Sequence, residues 1–200
     1  SRLVGSEMCI RDRSTTLLQL NNEFDILNEK VVQKIDYEVD GWSSDKYPNS
    51  LLGVIALIRQ TFIDANWYLN AQKIVKKYPG NDPIKLNKDL DIIGNWIMNN
   101  QPFLFNTKHE LSILRSLDIG LEFKLNTWIL GNGYEYRRID EIIKHNPFMI
   151  IPINYPTNPD LNDPYQALNY STAELKHWDI APDNIIMLSE SNIDLSLIHI

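Results

Sequence analysis

Five side chains in this sequence belong to the types that most often bind metals or carry out acid–base and nucleophilic chemistry. They are one cysteine, Cys9, and four histidines, His109, His145, His177 and His199. Imidazole titrates near neutral pH and binds transition metals, and a thiolate is both a nucleophile and a metal ligand. Which of the five can take part in a site depends on whether it belongs to the natural sequence and on the element that carries it.

Cys9 and His199 lie in two end segments, MCIRDR at residues 8–13 and LSLIHI at residues 195–200. Written as codons, the first can be ATG TGT ATA AGA GAC AG followed by a purine, and the second can be CTG TCT CTT ATA CAC ATC. These are one DNA sequence read in opposite directions, and that DNA resembles the transposon end used as a sequencing adapter. We therefore interpret residues 1–13 and 195–200 as adapter-derived, not native. The alternative is a natural basic N-terminus and a natural apolar tail that match the adapter by chance.

On this interpretation the native part is an internal piece of a metagenomic gene and contains no cysteine. We then expect neither a disulfide, nor a zinc–thiolate site, nor a cysteine nucleophile. A bacterial origin is expected, with the compartment, cytoplasm or periplasm, left open because the native N-terminus is not read. The missing parts of its own chain are expected partners.

Composition excludes two functional classes. The chain is 44% hydrophobic and 22% charged, which is typical of a globular protein. Its net charge is -7 at pH 7, and it has no basic cluster, so nucleic acid is not an expected partner. No apolar run approaches the roughly 18 residues that would predict a membrane span.

The first half of the chain combines a β-leaning segment with two helices. Residues 14–48 are β-leaning, with strands predicted at Thr16–Leu20 and Val31–Val39. Apolar residues then recur at helical spacing from Leu51 onward, which predicts a long helix that is capped by Asn49 or Ser50 and stopped at Pro79-Gly80. A second helix is predicted over Asp89–Asn99.

From residue 101 apolar runs alternate with amphipathic segments. Strands are predicted at Pro102–Phe105, Leu125–Leu130 and Pro147–Ile153, and helices at 109–123, 136–145 and 171–180. This pattern favours an α/β fold with a parallel sheet buried on both faces, and its spacing suits the C-terminal half of a (β/α)8 TIM-like barrel over residues 49–194. A doubly wound open sheet is the competing architecture, but no glycine-rich phosphate loop follows these strands. We expect Asn106, Gly131 and Asn154, each just after an apolar run, to share the carboxyl edge of the sheet.

Three stretches carry a family resemblance. They are DGWSSDKYPNSLLGVIALIRQTFIDANWY (residues 40–68), QPFLFNTKHELSILRSLDIGLEF (residues 101–123) and STAELKHWDIAPDNIIMLSE (residues 171–190). They resemble the imidazolonepropionase-like proteins of the amidohydrolase superfamily. The resemblance implies a metal-dependent hydrolase barrel in which an HxH pair, a lysine or carboxylate, two histidines and an aspartate at strand ends hold divalent metal, zinc in active members. That metal lowers the pKa of a bound water, which attacks an amide carbon.

Carried over residue by residue, the resemblance implies that two ligands are lost. The histidine position of the fifth strand falls on Asn106, and that of the sixth strand falls near Gly131. The seventh strand offers Asn154 with Tyr155. The implied HxH pair would precede Ser14 and the implied aspartate would follow Asp194. Neither a glycine nor a neutral amide replaces imidazole for a transition metal, so no metal ligand and no cofactor is expected in this fragment.

Each of the remaining histidines can be explained by a structural role as well as by a chemical one. His109 could be a displaced ligand or an acid–base group, or it could simply begin the next helix. His177 is expected to pack or cap, and His145 to end a helix where the dipole favours its charged form. A polar helix face or an internal ion pair explains Arg59 and Asp64.

The sequence therefore predicts a fragment of an amidohydrolase-superfamily protein, acting on amide C–N bonds in the family, in which this domain lacks the usual metal histidines and is inactive. The alternative is a non-catalytic barrel that binds a ligand or supports a neighbouring domain. No catalytic residue is assigned. Six side chains are candidates for binding a small-molecule ligand: Asn106, Lys108, His109, Asn132, Asn154 and Tyr155.

Overall fold

The structure is a computed structural model that describes residues 14–19, 25–38, 47–78, 84–159, 165 and 168–198. Within these residues the strands are β1 (Ser14–Gln19), β2 (Asp25–Asp36), β3 (Pro102–Asn106), β4 (Asn126–Leu130), β5 (Phe148–Pro152) and β6 (Leu195–Ile198). The α-helices are α1 (Leu51–Lys77), α2 (Lys88–Met98), α3 (Glu110–Phe123), α4 (Ile139–Ile143), α5 (Thr172–Ile180) and α6 (Asn184–Glu190). Short 3₁₀ helices cover Glu135–Arg138 and Ala181–Asp183.

The strands follow one another in the sheet in the order β1-β2-β3-β4-β5-β6. β1 pairs antiparallel with β2, whereas β4 with β5 and β5 with β6 are parallel pairs. The chain divides into two compact units, Ser1–Phe105 with Ile119–Asn126 and Asn106–Asp118 with Thr127–Ile200.

In the first unit α1 supplies more buried apolar side chains than any other described element. The Ser50 hydroxyl caps the helix by accepting a hydrogen bond from the Gly53 amide at 3.2 Å, as the sequence predicts. Phe62 is buried on the inward face and meets Phe103 of β3 edge-to-face, with ring centroids 5.4 Å apart. α2 lies against α1 at Gly94, where an added Cβ would come within 2.7 Å of the Leu69 side chain.

In the second unit the parallel strands carry the core. β4 and β5 pair with Trp128 opposite Phe148, and β5 and β6 pair with Met149 opposite Leu195. Ile129 and Met149 are fully buried, which is what apolar strands between helices require.

Most predicted elements are confirmed, with end shifts of one or two residues for most and of six residues at the start of β2, which begins at Asp25 instead of Val31. The long helix, the second helix and the alternation of strands and helices after residue 101 are all present. The predicted strand ends Leu20 and Val39, and the predicted stop at Pro79-Gly80, lie outside the described residues. Among the helices that the structure describes, none has the length and apolarity needed to cross a membrane.

Two elements differ from expectation. The predicted helix over residues 136–145 is instead a 3₁₀ helix followed by the five-residue α4, and Asn146, three residues beyond the end of α4, has a positive φ of 41°. At the start of the 3₁₀ helix the Glu135 side chain folds back onto the preceding loop and accepts hydrogen bonds from its amides. The C-terminal run, set aside as adapter, forms β6 because its backbone extends the ladder of β5.

Candidate functional site

The ends of three strands meet at one edge of the sheet in the second unit. The Thr107 amide donates to the Leu130 carbonyl at 3.2 Å, and the Gly131 amide donates to the Ile150 carbonyl at 2.8 Å. Asn106 ends β3 and Gly131 follows β4, and Asn154 lies two residues past the end of β5. The predicted placement of Asn106, Gly131 and Asn154 at the carboxyl edge is confirmed, and this edge is where parallel α/β folds carry their sites.

A buried carboxylate occupies the loop that follows β4. Glu135 is 0% exposed, and its carboxylate accepts hydrogen bonds from the Asn132 amide at 2.6 Å and the Gly133 amide at 3.1 Å. The Asn184 side-chain amide donates to the same carboxylate at 2.6 Å. Converging amide donors of this kind form an anion-binding nest, which compensates the cost of burying a charge.

The Glu135 carboxylate also explains the glycine at position 131. A Cβ added at Gly131 would lie 2.5 Å from Glu135 Oε1 and 2.7 Å from Ile151 Cδ1. No larger residue fits there without displacing the carboxylate. The place where the family resemblance implies a histidine is therefore filled by the side chain of Glu135.

Asn132 joins the loop to the end of β3. Its side-chain oxygen accepts from the Tyr134 amide at 2.9 Å, and its nitrogen lies 3.4 Å from the Thr107 hydroxyl. That hydroxyl donates to the Leu130 carbonyl at 2.7 Å. The polar groups of Asn132 serve the loop itself, so this candidate is occupied by protein contacts.

The other predicted ligand-binding residues lie nearer the solvent. Asn106 is half-buried, whereas Lys108, His109, Asn154 and Tyr155 are exposed. Their side chains reach solvent at an edge whose inner loop is held rigidly by hydrogen bonds.

His109 lies one residue before α3 rather than inside it. Its carbonyl accepts from the Ser112 amide at 2.9 Å, and its Nε2 lies 3.2 Å from the Ser112 hydroxyl. This is the placement expected of a residue that begins a helix. His145 is likewise exposed just past α4.

Away from this edge, Arg59 of α1 pairs with Glu122 at 2.7 Å, and both side chains are exposed by more than two fifths. Asp64 accepts a hydrogen bond from the Gln60 side chain at 2.7 Å. Of the two explanations, the polar helix face fits both residues, and the ion pair of Arg59 lies on the surface and not inside the protein.

His177 packs in an aromatic cluster on the loop after β4. Its ring stacks on Tyr134 with centroids 3.8 Å apart, and its Nδ1 lies 3.2 Å from the Tyr136 hydroxyl. Arg137 covers the Tyr134 ring at 4.5 Å and pairs with Glu110 at 3.5 Å. Burial, and then the charge of Arg137, lower the pKa of His177 below its usual range, whereas Glu135 raises it.

Sequence reasoning missed Glu135, Asn184 and the aromatic cluster. The available signal was Gly131-Asn132-Gly133 directly after an apolar strand, with a glutamate two residues later. Such a loop exposes several amides that an anion can bridge. Asn184, 49 residues further along the chain, carries no such local signal.

The residues at this edge do not fit a divalent metal. Gly131 offers no ligand atom, and the carboxylate beside it is already bound by amide donors. Across the part of the chain that the structure describes, no three His, Cys, Asp or Glu side chains are grouped as metal ligands would be. Transition-metal affinity requires several imidazoles or carboxylates that converge on one point.

Comparison with known proteins gives a likeness of fold. The sequence matches no protein-family model and no curated protein. The structure is similar to that of an amidohydrolase from Thermotoga maritima MSB8, with a TM-score of 0.64 and 15% sequence identity. The likeness covers 86% of this chain and 42% of the length of that protein. At this identity the likeness shows the fold, and it agrees with the predicted α/β class and with a partial barrel of the TIM type.

Proposed function

We propose that this chain is part of an amidohydrolase relative, and that its strand ends bind a small polar ligand or support the parent protein without hydrolysing amides themselves. One observation carries the proposal: the Glu135 carboxylate, bound by three donors, fills the space at Gly131 where a metal ligand would be needed. A carboxylate held in this way is a structural anion, because its lone pairs are directed into the loop and away from a substrate.

The ligand would meet side chains suited to hydrogen bonding. Asn106, Asn154 and Tyr155 provide amide and phenol groups at the edge, and Lys108 and His109 provide cations or neutral donors beside them. The imidazolonepropionase-like subgroup, suggested by the sequence resemblance, makes a small nitrogen-containing or carboxylate-bearing molecule the expected class.

Metal content tests the proposal. The purified 200-residue chain is loaded with zinc, dialysed and analysed for metal, together with His109→Ala and, as a matched control, the exposed helix-end variant His145→Ala. We expect equal, substoichiometric zinc in all three and no amide hydrolysis. Stoichiometric zinc that disappears only in His109→Ala would mean that a displaced ligand holds a metal centre, and the proposal would be wrong.

A second candidate is an active hydrolase whose ligands lie in the rest of the parent protein. The likeness to the Thermotoga maritima amidohydrolase favours it, because this chain spans 42% of that protein's length. Recovery of the flanking DNA separates the two candidates: an HxH motif upstream together with an aspartate downstream would support catalysis in the parent.

We also propose that residues 1–13 and 195–200 are adapter-derived. The codons that can encode the two ends support this, since they are one DNA sequence read in opposite directions. The same flanking DNA provides the test, and genomic codons that encode LSLIHI in place would contradict the proposal.

A further inference from the structure

One face of α1 carries large apolar side chains that are open to solvent. The α1 stripe consists of five residues of α1, which are Leu52, Ala56, Ile63, Trp67 and Ile74, and of Tyr78, the residue that caps the end of the helix. Its five large members are more than half exposed, from 51% for Ile63 to 78% for Leu52, and Ala56 is exposed as well. Contiguous exposed apolar surfaces of this extent are often sites of contact with another protein.

The opposite face of the same helix is already buried. Val54, Ile58, Phe62, Ala65 and Leu69 form that inward face. When a helix has apolar side chains on two opposite faces, both faces are usually covered by other elements or by a partner. The stripe is therefore a second packing face of α1.

The spacing of the stripe makes it straight. Its members fall into pairs four residues apart, and the pairs repeat every eleven residues along the chain. Eleven residues make just over three full turns, so the stripe runs nearly parallel to the helix axis. It extends from Leu52 to Tyr78, which is about 39 Å at 1.5 Å per residue.

The stripe is also symmetric about its midpoint at Ala65. Leu52 and Tyr78 lie 13 residues on either side, Ala56 and Ile74 lie nine, and Ile63 and Trp67 lie two. We propose that the α1 stripe binds a second copy of this chain, with the two α1 helices antiparallel and a two-fold axis level with Ala65. In a two-fold contact each residue meets its counterpart across the axis, so the small Ala56 faces the large Ile74 of the other copy.

Charge favours the antiparallel direction. The last turn of α1 carries Lys76 and Lys77, Lys73 lies one turn earlier, and the first turn carries no acidic residue. Parallel helices would place the lysines of both copies side by side, where like charges repel. Antiparallel helices separate them by most of the helix length and bring each positive end of one dipole beside the negative end of the other.

The size of the contact sets its strength. A stripe about 39 Å long on a helix about 10–12 Å wide covers roughly 400 Å² per copy. Stable complexes bury about 800 Å² per partner, and weak ones bury less. We therefore expect association that depends on protein concentration.

Analytical ultracentrifugation of the 200-residue chain over a range from about 5 to 500 µM tests the contact. We expect a monomer–dimer equilibrium for the wild type, and we expect Trp67→Glu to raise the dissociation constant of the dimer at least tenfold. The control is Ile186→Glu on α6, a similarly exposed apolar residue, which should leave the equilibrium unchanged. A wild-type monomer throughout the range, as expected if other parts of the parent chain cover the stripe, would overturn the proposal. If Trp67→Glu forms as much dimer as the wild type, the proposal is also overturned, because the chains would then associate through a sheet edge or another surface.

Disulfide trapping tests the direction and register independently of that variant. In a Cys9→Ser background, Ala56→Cys and Ile74→Cys proteins are oxidised separately and as a mixture. We expect a covalent dimer in the mixture alone, because residues 56 and 74 of different copies would face each other within the roughly 4 Å that a disulfide spans between Cβ atoms. Residues 56 of two antiparallel copies would be about 27 Å apart. Trapping of Ala56→Cys alone, or of neither, would contradict the antiparallel contact.

Discussion

Removal of the Glu135 side chain should strongly destabilise the second unit. Glu135→Ala leaves three donors without an acceptor, namely the amides of Asn132 and Gly133 and the side-chain nitrogen of Asn184. An unsatisfied buried donor costs about 1–3 kcal/mol. Asn184 is 1% exposed and carries the full cost, whereas the two loop amides are half-buried and can recruit water. We expect the free energy of unfolding to fall by roughly 3–5 kcal/mol, toward the upper part of the range for single substitutions.

Glu135→Gln refines the same expectation. The glutamine oxygen can accept from the loop amides, but its NH₂ group then faces the nitrogen of Asn184, whose own oxygen accepts from the Tyr136 amide at 2.8 Å. One conflict between two donors remains, so we expect a loss of about 1–3 kcal/mol, smaller than that of the alanine variant.

Urea denaturation followed by circular dichroism measures these differences. The control is Glu141→Ala, which removes an exposed carboxylate that pairs with Arg138 at 3.4 Å. Such surface pairs contribute about 0–1 kcal/mol. If Glu135→Ala changes stability no more than Glu141→Ala does, the carboxylate does not hold the loop, and the proposal that it fills the place of a metal ligand is wrong.

Further predictions concern the same unit. Gly131→Ala should destabilise the chain by about 1–3 kcal/mol, because its Cβ would crowd Glu135 and Ile151, and part of that cost should disappear in the Glu135→Ala background in a double-mutant cycle. The pKa of His177 is lowered in the folded chain, so its contribution to stability is present above its unfolded pKa of about 6.5 and is lost as the pH falls through the folded pKa. Between about pH 5 and about pH 7.5, the melting temperature of His177→Gln should therefore depend less on pH than that of the wild type. Identical pH profiles of the two proteins would contradict this. Deletion of residues 195–200 should lower the melting temperature, because it removes the parallel partner of β5, and an unchanged melt would show that β6 does not stabilise the sheet.

The sequence by itself determined the elements and their order. The apolar spacing of α1, its Ser50 cap and the runs that became β3, β4 and β5 are local features, and the hydrophobicity and backbone preference of neighbouring residues decide them. The alternation of strand and helix then leads to a parallel sheet, which places Asn106 and Gly131 at one edge.

Only the tertiary structure decided what that edge contains. The Glu135 carboxylate is held partly by Asn184, 49 residues away, and His177 reaches Tyr136 across 41 residues. The spacing of residue types carries no signal for such contacts, because they depend on how packed elements bring distant groups within hydrogen-bond distance. A glutamate in a loop is exposed by default, and its burial is favourable only once amides from separate segments converge on its oxygens and replace the water that it loses.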